Sequence, residues 1–220
     1  MMELNALFLL LSVLLLTGCR AGEPATPEET GEMPYGKWDF AFFTPRALPA
    51  AVTYVAMIDA GNVVYTFRTL DSVEENPGTI GSWNKRVRRH AQFNKARHPP
   101  VVMLFCWDSV IDKKTYETRI TFREDIRTRM MTPAGTDSDN GKTAWYDTLL
   151  FGLAPEGRVR IWLQNSAGGD NLPVEPQMLT SLSGDKLDVC KEINKHPNGY
   201  VYYGETPDFI KGKTYPYGNW

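Results

Sequence analysis

The strongest pattern along the chain is an alternation of apolar and polar residues, which is the period of a β-strand with one buried face. In residues 37–44, for example, Trp38, Phe40 and Phe42 fall on one face. Alternation or a continuous apolar run predicts strands at residues 37–44, 50–59, 62–69, 101–107, 115–122, 145–153 and 158–163. Short turn sequences join most of these strands, which is typical of hairpins and antiparallel pairing. The pattern therefore predicts an α+β fold, mainly an antiparallel β-sheet or sandwich-like domain.

Helical spacing is confined to a few segments. Ser82 is a suitable N-cap, and Trp83, Val87 and Ala91 then recur one turn apart, which predicts an amphipathic helix at residues 82–96. Weaker helical patterns occur at residues 124–131, 175–182 and 186–193. We therefore expect two or three short helices beside the strands.

The C-terminal part of the chain is rich in aromatic residues, which suit strand positions. They predict an aromatic edge strand and tail that contain Tyr200, Tyr202, Tyr203, Tyr215, Tyr217 and Trp220. No segment with the composition of a linker interrupts residues 37–220. This region is therefore predicted to be a single globular β-rich domain.

The first residues of the chain follow a different pattern. Residues 6–16 form an apolar run, ALFLLLSVLLL, whose helical length of roughly 16 Å is about half of the hydrocarbon core of a bilayer. A run of this length fits the apolar region of a secretory signal peptide rather than a spanning helix. Residues 16–19, LTGC, resemble the lipobox of bacterial lipoproteins. The resemblance implies that residues 1–18 are a cleaved signal peptide and that Cys19 carries a palmitate-containing lipid anchor.

The lipobox resemblance also implies a location. Arg20 follows the cysteine where Gram-negative sorting would place an Asp for retention in the inner membrane, so we expect the outer membrane, facing the periplasm. Residues 19–36 are predicted to be the lipidated cysteine and a flexible tether, because Pro, Gly, Glu and Thr predominate there. The domain at residues 37–220 would then stay close to the membrane surface.

Two of the three cysteines remain once Cys19 is assigned to the anchor. Cys106 and Cys190 would lie in the oxidising periplasm, where pairs of cysteines form disulfides. Cys106 also lies inside the apolar run VVMLFCW, where a buried free thiol is an equally natural state. A Cys106–Cys190 disulfide is therefore the expectation, and a buried free thiol is the alternative.

Composition and motifs exclude several classes of function. The chain carries 24 basic and 26 acidic side chains, whereas a nucleic-acid-binding domain is usually strongly basic, so nucleic acid is not an expected partner. The three histidines lack the one-turn spacing of zinc ligands, and no phosphate-binding loop or serine nucleophile elbow occurs. We therefore predict no enzymatic activity, no catalytic residues, no bound metal and no cofactor.

One loop has two interpretations. Asp137–Gly141 read DSDNG, the start of a calcium-binding loop, in which alternate oxygens converge on the cation. The loop lacks the glutamate expected at the twelfth position, and such strings are also common in solvated turns. Both interpretations, a calcium loop and a solvated turn, stay open at this point.

Basic residues cluster in two places that favour binding of a partner. The predicted helix at residues 82–96 carries a basic stripe, and the strand at residues 158–163 places Arg158, Arg160 and Trp162 on one face. Arginine and tryptophan are enriched at the energetic centres of protein interfaces, and a basic stripe attracts acidic partners. The alternative is an ordinary solvated helix face. The candidate partner-binding residues are Trp83, Lys85, Arg86, Arg88, Arg89, Arg158, Arg160 and Trp162.

Four short sequence elements spread over the chain carry a family resemblance. They are Trp38-x-Phe40, Trp107-x-Ser109, Lys114-x-Tyr116 and the longer GLAPEGRVRIWL at residues 152–163. Together they resemble a large family of uncharacterised Gram-negative lipoproteins. Members of that family are often encoded beside type VI secretion components and lipase-type effectors. The resemblance implies an immunity lipoprotein that binds such an effector in the periplasm and neutralises it.

The alternative function is that of an envelope housekeeping lipoprotein. Such a protein would bind glycan, peptidoglycan or another envelope protein, with or without an unrecognised hydrolase activity. The neighbouring reading frame separates the two hypotheses, because an adjacent lipase or toxin gene favours the immunity role.

Overall fold

A computed structural model describes residues 33–76, 82–196, 199–202 and 204–212 of the chain. The predicted signal peptide, Cys19 and most of the predicted tether lie outside the described residues, as do Tyr203, Tyr215, Tyr217 and Trp220. Met33 is fully buried, and its carbonyl accepts a hydrogen bond from the Gly36 N–H. Packed structure therefore includes residues 33–36, which precede the domain boundary predicted at residue 37.

Strands make up most of the regular structure. They are β1 (Trp38–Pro45), β2 (Ala50–Asp59), β3 (Val64–Phe67), β4 (Glu74–Asn76), β5 (Lys95–Ala96), β6 (Pro100–Ser109), β7 (Lys114–Thr121), β8 (Pro133–Thr136), β9 (Thr143–Trp145), β10 (Thr148–Ala154), β11 (Arg158–Leu163), β12 (Leu172–Pro173) and β13 (Met178–Ser183). The helices are α1 (Ile126–Met130), α2 (Thr206–Ile210) and the 3₁₀ helices Gly184–Lys186 and Val189–Glu192. No helix in these described ranges is long and apolar enough to cross a membrane. The predicted mainly β domain with few helices is confirmed.

The first sheet has the order β12-β11-β10-β1-β4, and β5 pairs with β1. β10 and β11 form the predicted hairpin, in which Leu149 pairs with Leu163 and Ala154 pairs with Arg158. β1 is parallel to both β10 and β4, whereas the other pairs are antiparallel. This sheet is therefore mixed, because β1 takes its neighbours from remote parts of the chain rather than from hairpins.

The second sheet has the order β13-β7-β6-β2-β3, and all of its pairs are antiparallel. β6 lies at its centre, and its residues Met103, Phe105, Cys106 and Trp107 are fully buried. The continuous apolar run in the sequence reflects this central position, because both faces of β6 are covered from Phe105 onward, whereas Val101 and Val102 at its start are exposed. β13 and β3 form the two edges of the sheet.

The inner faces of the two sheets share one apolar core. Phe105 of the second sheet contacts Phe42 and Phe151 of the first sheet, at ring-centroid distances of 5.1 and 5.6 Å. Trp38 and Phe40 lie on the same face of β1 as Phe42 and are also fully buried. The alternation in the sequence is thus the alternation between this core and the outer face of each sheet.

A disulfide joins Cys106 on β6 to Cys190 in the second 3₁₀ helix, across 84 residues of sequence. Both cysteines are fully buried, and their Cα atoms lie 5.4 Å apart. Beside them, the buried carboxylate of Glu117 accepts hydrogen bonds from the Asp188 and Cys190 N–H groups, at 3.0 and 2.9 Å. Glu117 also forms an ion pair with Arg119. A covalent bond and a buried carboxylate therefore hold this segment on the outer face of the second sheet.

The predicted helix at residues 175–182 is wrong. Residues 178–183 form β13, not a helix, and pair with β7 along their whole length. The sheet supplies the backbone hydrogen bonds that a helix would otherwise make, so tertiary context overrides the weak helical pattern. Residues 199–202 form no strand, and the next described element is α2, where Pro207 stands in the first turn. Proline is favoured there because it needs no helical partner for a backbone N–H.

Candidate functional site

A groove of about 810 Å³ runs along β11 and separates it from β13, the edge strand of the second sheet. β11 forms one wall, with Trp83 and Lys85 beside it. Leu179 and Ser181 of β13 form the other wall, and the chain segment at residues 173–176 closes one side. The volume lies in the range of ordinary binding sites for ligands.

The groove exists because β11 is paired along only part of its second edge. β10 pairs with all of β11 on one side, whereas β12 pairs only with its last two residues on the other. The Val174 N–H adds one hydrogen bond to the Ile161 carbonyl, at 3.0 Å. The chain then crosses to the second sheet, where the Gln177 N–H donates to a carbonyl of β7 at 2.9 Å. Among the described residues, the edge at residues 158–160 therefore has no strand partner.

The wall of the groove formed by β11 is basic. Arg158 and Arg160 are exposed on the outer face of β11, as the sequence alternation predicted. The Arg158 guanidinium lies 4.0 Å from the Glu156 carboxylate, which is a weak contact. Within the described part of the chain, Lys85 and Arg160 form no ion pair. Glu175 is exposed on the segment that crosses to the second sheet, so the β11 wall keeps an excess of positive charge.

An aromatic cluster forms the floor of the groove at one end. The Trp83 ring packs against Phe43 and Trp162 at centroid distances of 5.9 and 5.5 Å, and Phe43 lies 5.6 Å from Trp162. Gly152 makes room for this cluster, because a Cβ there would lie 2.5 Å from the Trp83 ring. Trp162 is only 7% exposed. The two tryptophans therefore form a packed floor for the groove rather than freely exposed anchors.

The helix predicted at residues 82–96 is wrong. Residues 82–94 have no regular secondary structure, and residues 95–96 form β5. Val87 is buried with Phe43 and Leu150 on the outer face of the first sheet. Val87 and Ala91 are therefore buried and Trp83 is half-buried, as the pattern indicated, but the backbone between them forms turns and irregular structure.

Side chains from other segments replace the hydrogen bonds of the predicted helix. The Asn171 side-chain amide donates to the Val87 carbonyl at 2.9 Å. The Gln164 side-chain carbonyl accepts from the Arg89 N–H at 2.7 Å. The Asp71 carboxylate accepts from three successive N–H groups just before β5. Because these partners are far away in sequence, the local pattern does not reveal them.

The basic residues of the predicted helix stripe are separated in the structure. Arg86 Nε donates to the Asp170 carboxylate at 2.6 Å, and this hydrogen bond raises the pKa of the Arg86 guanidinium. Arg88 donates two hydrogen bonds to the loop before β12, and burial lowers its pKa. Arg89 forms an ion pair with Glu74 at 3.2 Å. Lys85, at the N-terminal end of the predicted stripe, lines the groove, whereas the three arginines are held by other residues of the chain.

The turn between β10 and β11 forms the other end of the groove. Glu156 and Gly157 have positive φ angles of 67° and 72°, in the three-residue turn between the paired residues Ala154 and Arg158. The Asp112 carboxylate accepts hydrogen bonds from the Glu156 N–H at 2.6 Å and from the Tyr116 hydroxyl at 3.1 Å. A Cβ at Gly157 would lie 2.8 Å from the Tyr116 ring. Asp112 therefore helps to hold a non-glycine residue in the left-handed region.

The sequence did not reveal the far wall of the groove. Leu179 and Ser181 lie in the segment that was predicted to be a helix, and Glu175 stands at its start. Pro173 and Pro176 are the residues in the sequence that indicate the end of a strand here, because a proline has no N–H to donate to a neighbouring strand. That signal marks where β12 stops, but it does not show which strand lies opposite.

The loop Asp137–Gly141 lies between β8 and β9. The Asp137 carboxylate accepts hydrogen bonds from the Asp139 N–H at 2.8 Å and from the Asn140 side-chain amide at 2.9 Å. These hydrogen bonds are the usual turn chemistry of Asp and Asn. In the ranges that the structure describes, no three or more His, Cys, Asp or Glu side chains are grouped so as to hold a metal ion.

Asp39 on β1 is a partly buried carboxylate outside the groove. Burial raises its pKa to about 6, a hydrogen bond with Thr148 acts in the opposite direction, and the nearby Asp147 raises the pKa further. One of its oxygens is buried without a hydrogen-bond partner in the described structure. This carboxylate therefore makes the stability of the fold depend on pH between about 4 and about 6.

The comparison with known proteins concerns the whole folded region. The profile of a family described as "Protein of unknown function (DUF2931)" matches residues 23–218, a range that includes both sheets, the groove and the disulfide. No curated protein matches the chain significantly. No solved structure matches it significantly either. Because the family profile covers most of the sequence, the chain belongs to the DUF2931 family.

Proposed function

We propose that this protein is a membrane-tethered binding protein of the cell envelope, and that the groove along β11 binds a protein partner. The observation that carries the proposal is the edge at residues 158–160, which has no strand partner among the described residues and lies beside two exposed arginines. An exposed strand edge is a template for another polypeptide, because its N–H and C=O groups lack partners. Arginine beside tryptophan is also the composition found at interface hot spots.

The aromatic floor favours a protein over a glycan. Trp83 and Trp162 pack against Phe43 and against each other, so little of the Trp162 ring faces the groove. An envelope glycan would need exposed ring faces for stacking, whereas a peptide backbone needs the open strand edge. The housekeeping role with a glycan or peptidoglycan ligand is therefore the weaker candidate.

The narrower proposal is an immunity lipoprotein that neutralises a lipase-type effector of type VI secretion. It rests on the family resemblance in the sequence and on the lipobox at Cys19. A tether to the outer membrane suits this role, because a phospholipase acts at that surface and tethering raises the local concentration of its inhibitor there. In this proposal inhibition comes from binding alone.

The test is protection of cells from the product of the neighbouring reading frame. That product is exported to the periplasm with and without this protein, and cell survival is measured. We expect survival to depend on the protein and to fall in the Cys19→Ser variant, which lacks the predicted anchor. Equal killing in both cases, with the protein made and exported, would refute the immunity role.

A further inference from the structure

We infer that the groove binds an extended acidic–apolar–acidic segment of the partner, which adds to β11 as a new strand beside residues 158–160. This inference rests on the proposed binding function and specifies the chemistry of what is bound.

The backbone sets the mode of binding. Residues 158–160 pair with β10 on one side, and β12 has already left the other side after the contact between Val174 and Ile161. A segment of three to four residues in extended conformation spans about 10 to 13 Å, which matches the open part of the strand. Such a segment would meet alternate N–H and C=O groups of β11 that have no strand partner in the described chain.

The side chains set the order of residue types. Side chains of neighbouring strands that lie directly opposite each other share a face of the sheet. Arg158 and Arg160 project outward from β11, whereas Val159 between them is buried on the inner face. Two acidic residues separated by one position would therefore lie opposite the arginines. The residue between them would face inward, beside Val159, where an apolar side chain fits.

Charge selects an acidic rather than a basic segment. Neither Arg160 nor Lys85 forms an ion pair with a carboxylate of the described residues, and Arg158 has only the 4.0 Å contact with Glu156. The carboxylates of the groove lie at its margins, Glu156 in the turn and Glu175 on the crossing segment. An added strand would thus meet two adjacent cations on the outer face of β11, and the attraction would weaken as salt increases.

The first experiment uses short synthetic peptides with the purified full chain. The probe has Glu-Val-Glu at its centre, and the comparison peptide has Lys-Val-Lys. Binding is followed by backbone amide resonances of isotopically labelled protein during titration. We expect the acidic peptide to shift the resonances of residues 158–161, and the basic peptide to shift none of them. Absence of shifts with the acidic peptide at millimolar concentration would overturn the inference.

Two N-methylated forms of the acidic peptide test strand addition itself. One carries N-methyl groups on both Glu amides, and the other carries one on the Val amide. Alternate amides of a strand point to opposite sides, so one form should lose binding at least about tenfold while the other keeps it. Equal affinity of both forms would show side-chain attraction without strand pairing and would overturn the inference.

Charge reversal with a matched control completes the test. Arg158→Glu/Arg160→Glu should weaken peptide binding by about tenfold or more, from the loss of two cross-strand charge pairs and the addition of repulsion. Arg68→Glu/Lys142→Glu changes the net charge equally at exposed positions outside the groove and should leave binding unchanged. Equal weakening in both variants would overturn the inference. A dimer of the protein alone that dissociates in the first variant would assign the groove to a second copy and would overturn it as well.

The same variants separate this inference from the proposed function. If the neighbouring effector still forms a complex with Arg158→Glu/Arg160→Glu and cells remain protected, the partner binds elsewhere, so the inference fails while the binding function stands. If the unchanged protein neither forms a complex nor protects cells, the proposed function fails, whatever the peptides do.

Discussion

Removal of the Cys106–Cys190 disulfide is expected to destabilise the protein strongly. In the variant Cys106→Ala/Cys190→Ala, the unfolded chain regains the freedom of a loop whose ends are 84 residues apart. The chain-entropy relation for a loop of this length gives about 4.6 kcal/mol at 25 °C. Loss of two buried sulfur atoms adds to this cost, since both cysteines are fully buried. The free energy of unfolding of a native domain is usually about 5–15 kcal/mol in total, so the variant should be marginally stable.

Urea denaturation followed by tryptophan fluorescence measures this cost. Oxidised protein, the same protein with reductant, the double alanine variant and a Cys19→Ser control are compared. The double variant should be less stable than the reduced protein, because it also lacks two buried sulfur atoms. Both should have a lower midpoint and a larger m-value than the oxidised protein, because an unfolded chain without the cross-link exposes more surface. Cys19→Ser should not change the midpoint. A loss below about 1.5 kcal/mol, or a midpoint that reductant leaves unchanged, would refute the reasoning.

Three further substitutions test the turn, the half-buried carboxylate of Asp39 and the fully buried carboxylate of Glu117. Glu156→Gly should raise the free energy of unfolding by about 0.5–1 kcal/mol, because a φ of 67° strains a non-glycine residue. This is a net value, since the greater freedom of glycine in the unfolded chain offsets part of the gain. Glu156→Ala keeps the strain, and an equal gain there would contradict the explanation. The pKa of Asp39 is about 6 in the folded protein, above its ordinary value near 3.9, so its contribution to stability falls as pH rises from about 4 through about 6. As pH rises from 4 to 7, the free energy of unfolding of Asp39→Asn should therefore increase by about 1–2 kcal/mol relative to that of the unchanged protein, a figure reduced for the partial exposure of Asp39. A difference between the two proteins that stays constant with pH would exclude this cause. Glu117→Gln weakens the ion pair with Arg119 and two backbone hydrogen bonds, and it should cost about 2–3 kcal/mol in thermal denaturation. Glu124→Gln is the exposed control, and equal effects of the two changes would contradict the role of the buried carboxylate.

The strands with strong alternation were predictable from the sequence. The strand predicted at residues 50–59 is β2 as observed, and the one at residues 158–163 is β11. In β11 the alternation in the sequence is the alternation between the core and the outer face. In β2 the register shifts between Val52 and Tyr54, and the core takes Val55 and Met57 while Ile58 is exposed. The positions of both strands were predictable because burial on one face imposes a period of two on the sequence, whatever the partner strands are.

The segment before β5 was not predictable in the same way. Trp83, Val87 and Ala91 have helical spacing, and they do meet apolar surroundings, but residues 82–94 form no helix. The spacing records only which side chains are buried. The hydrogen bonds from Asn171, Gln164 and Asp71 decide the backbone, and none of these residues is near in sequence.

The sequence by itself determined the apolar face of β1 and the basic face of β11. Arg158, Arg160 and Trp162 share a face of β11 because side chains alternate along any strand. Only the tertiary structure decided that β12 leaves β11 early, that β13 lies across the groove, and that Lys85 joins the basic wall while Arg86 pairs with Asp170. Strand order and long-range hydrogen bonds depend on which of all the segments pair with one another. A local pattern of apolar and polar residues depends only on which side chains are buried, so it does not specify the partners.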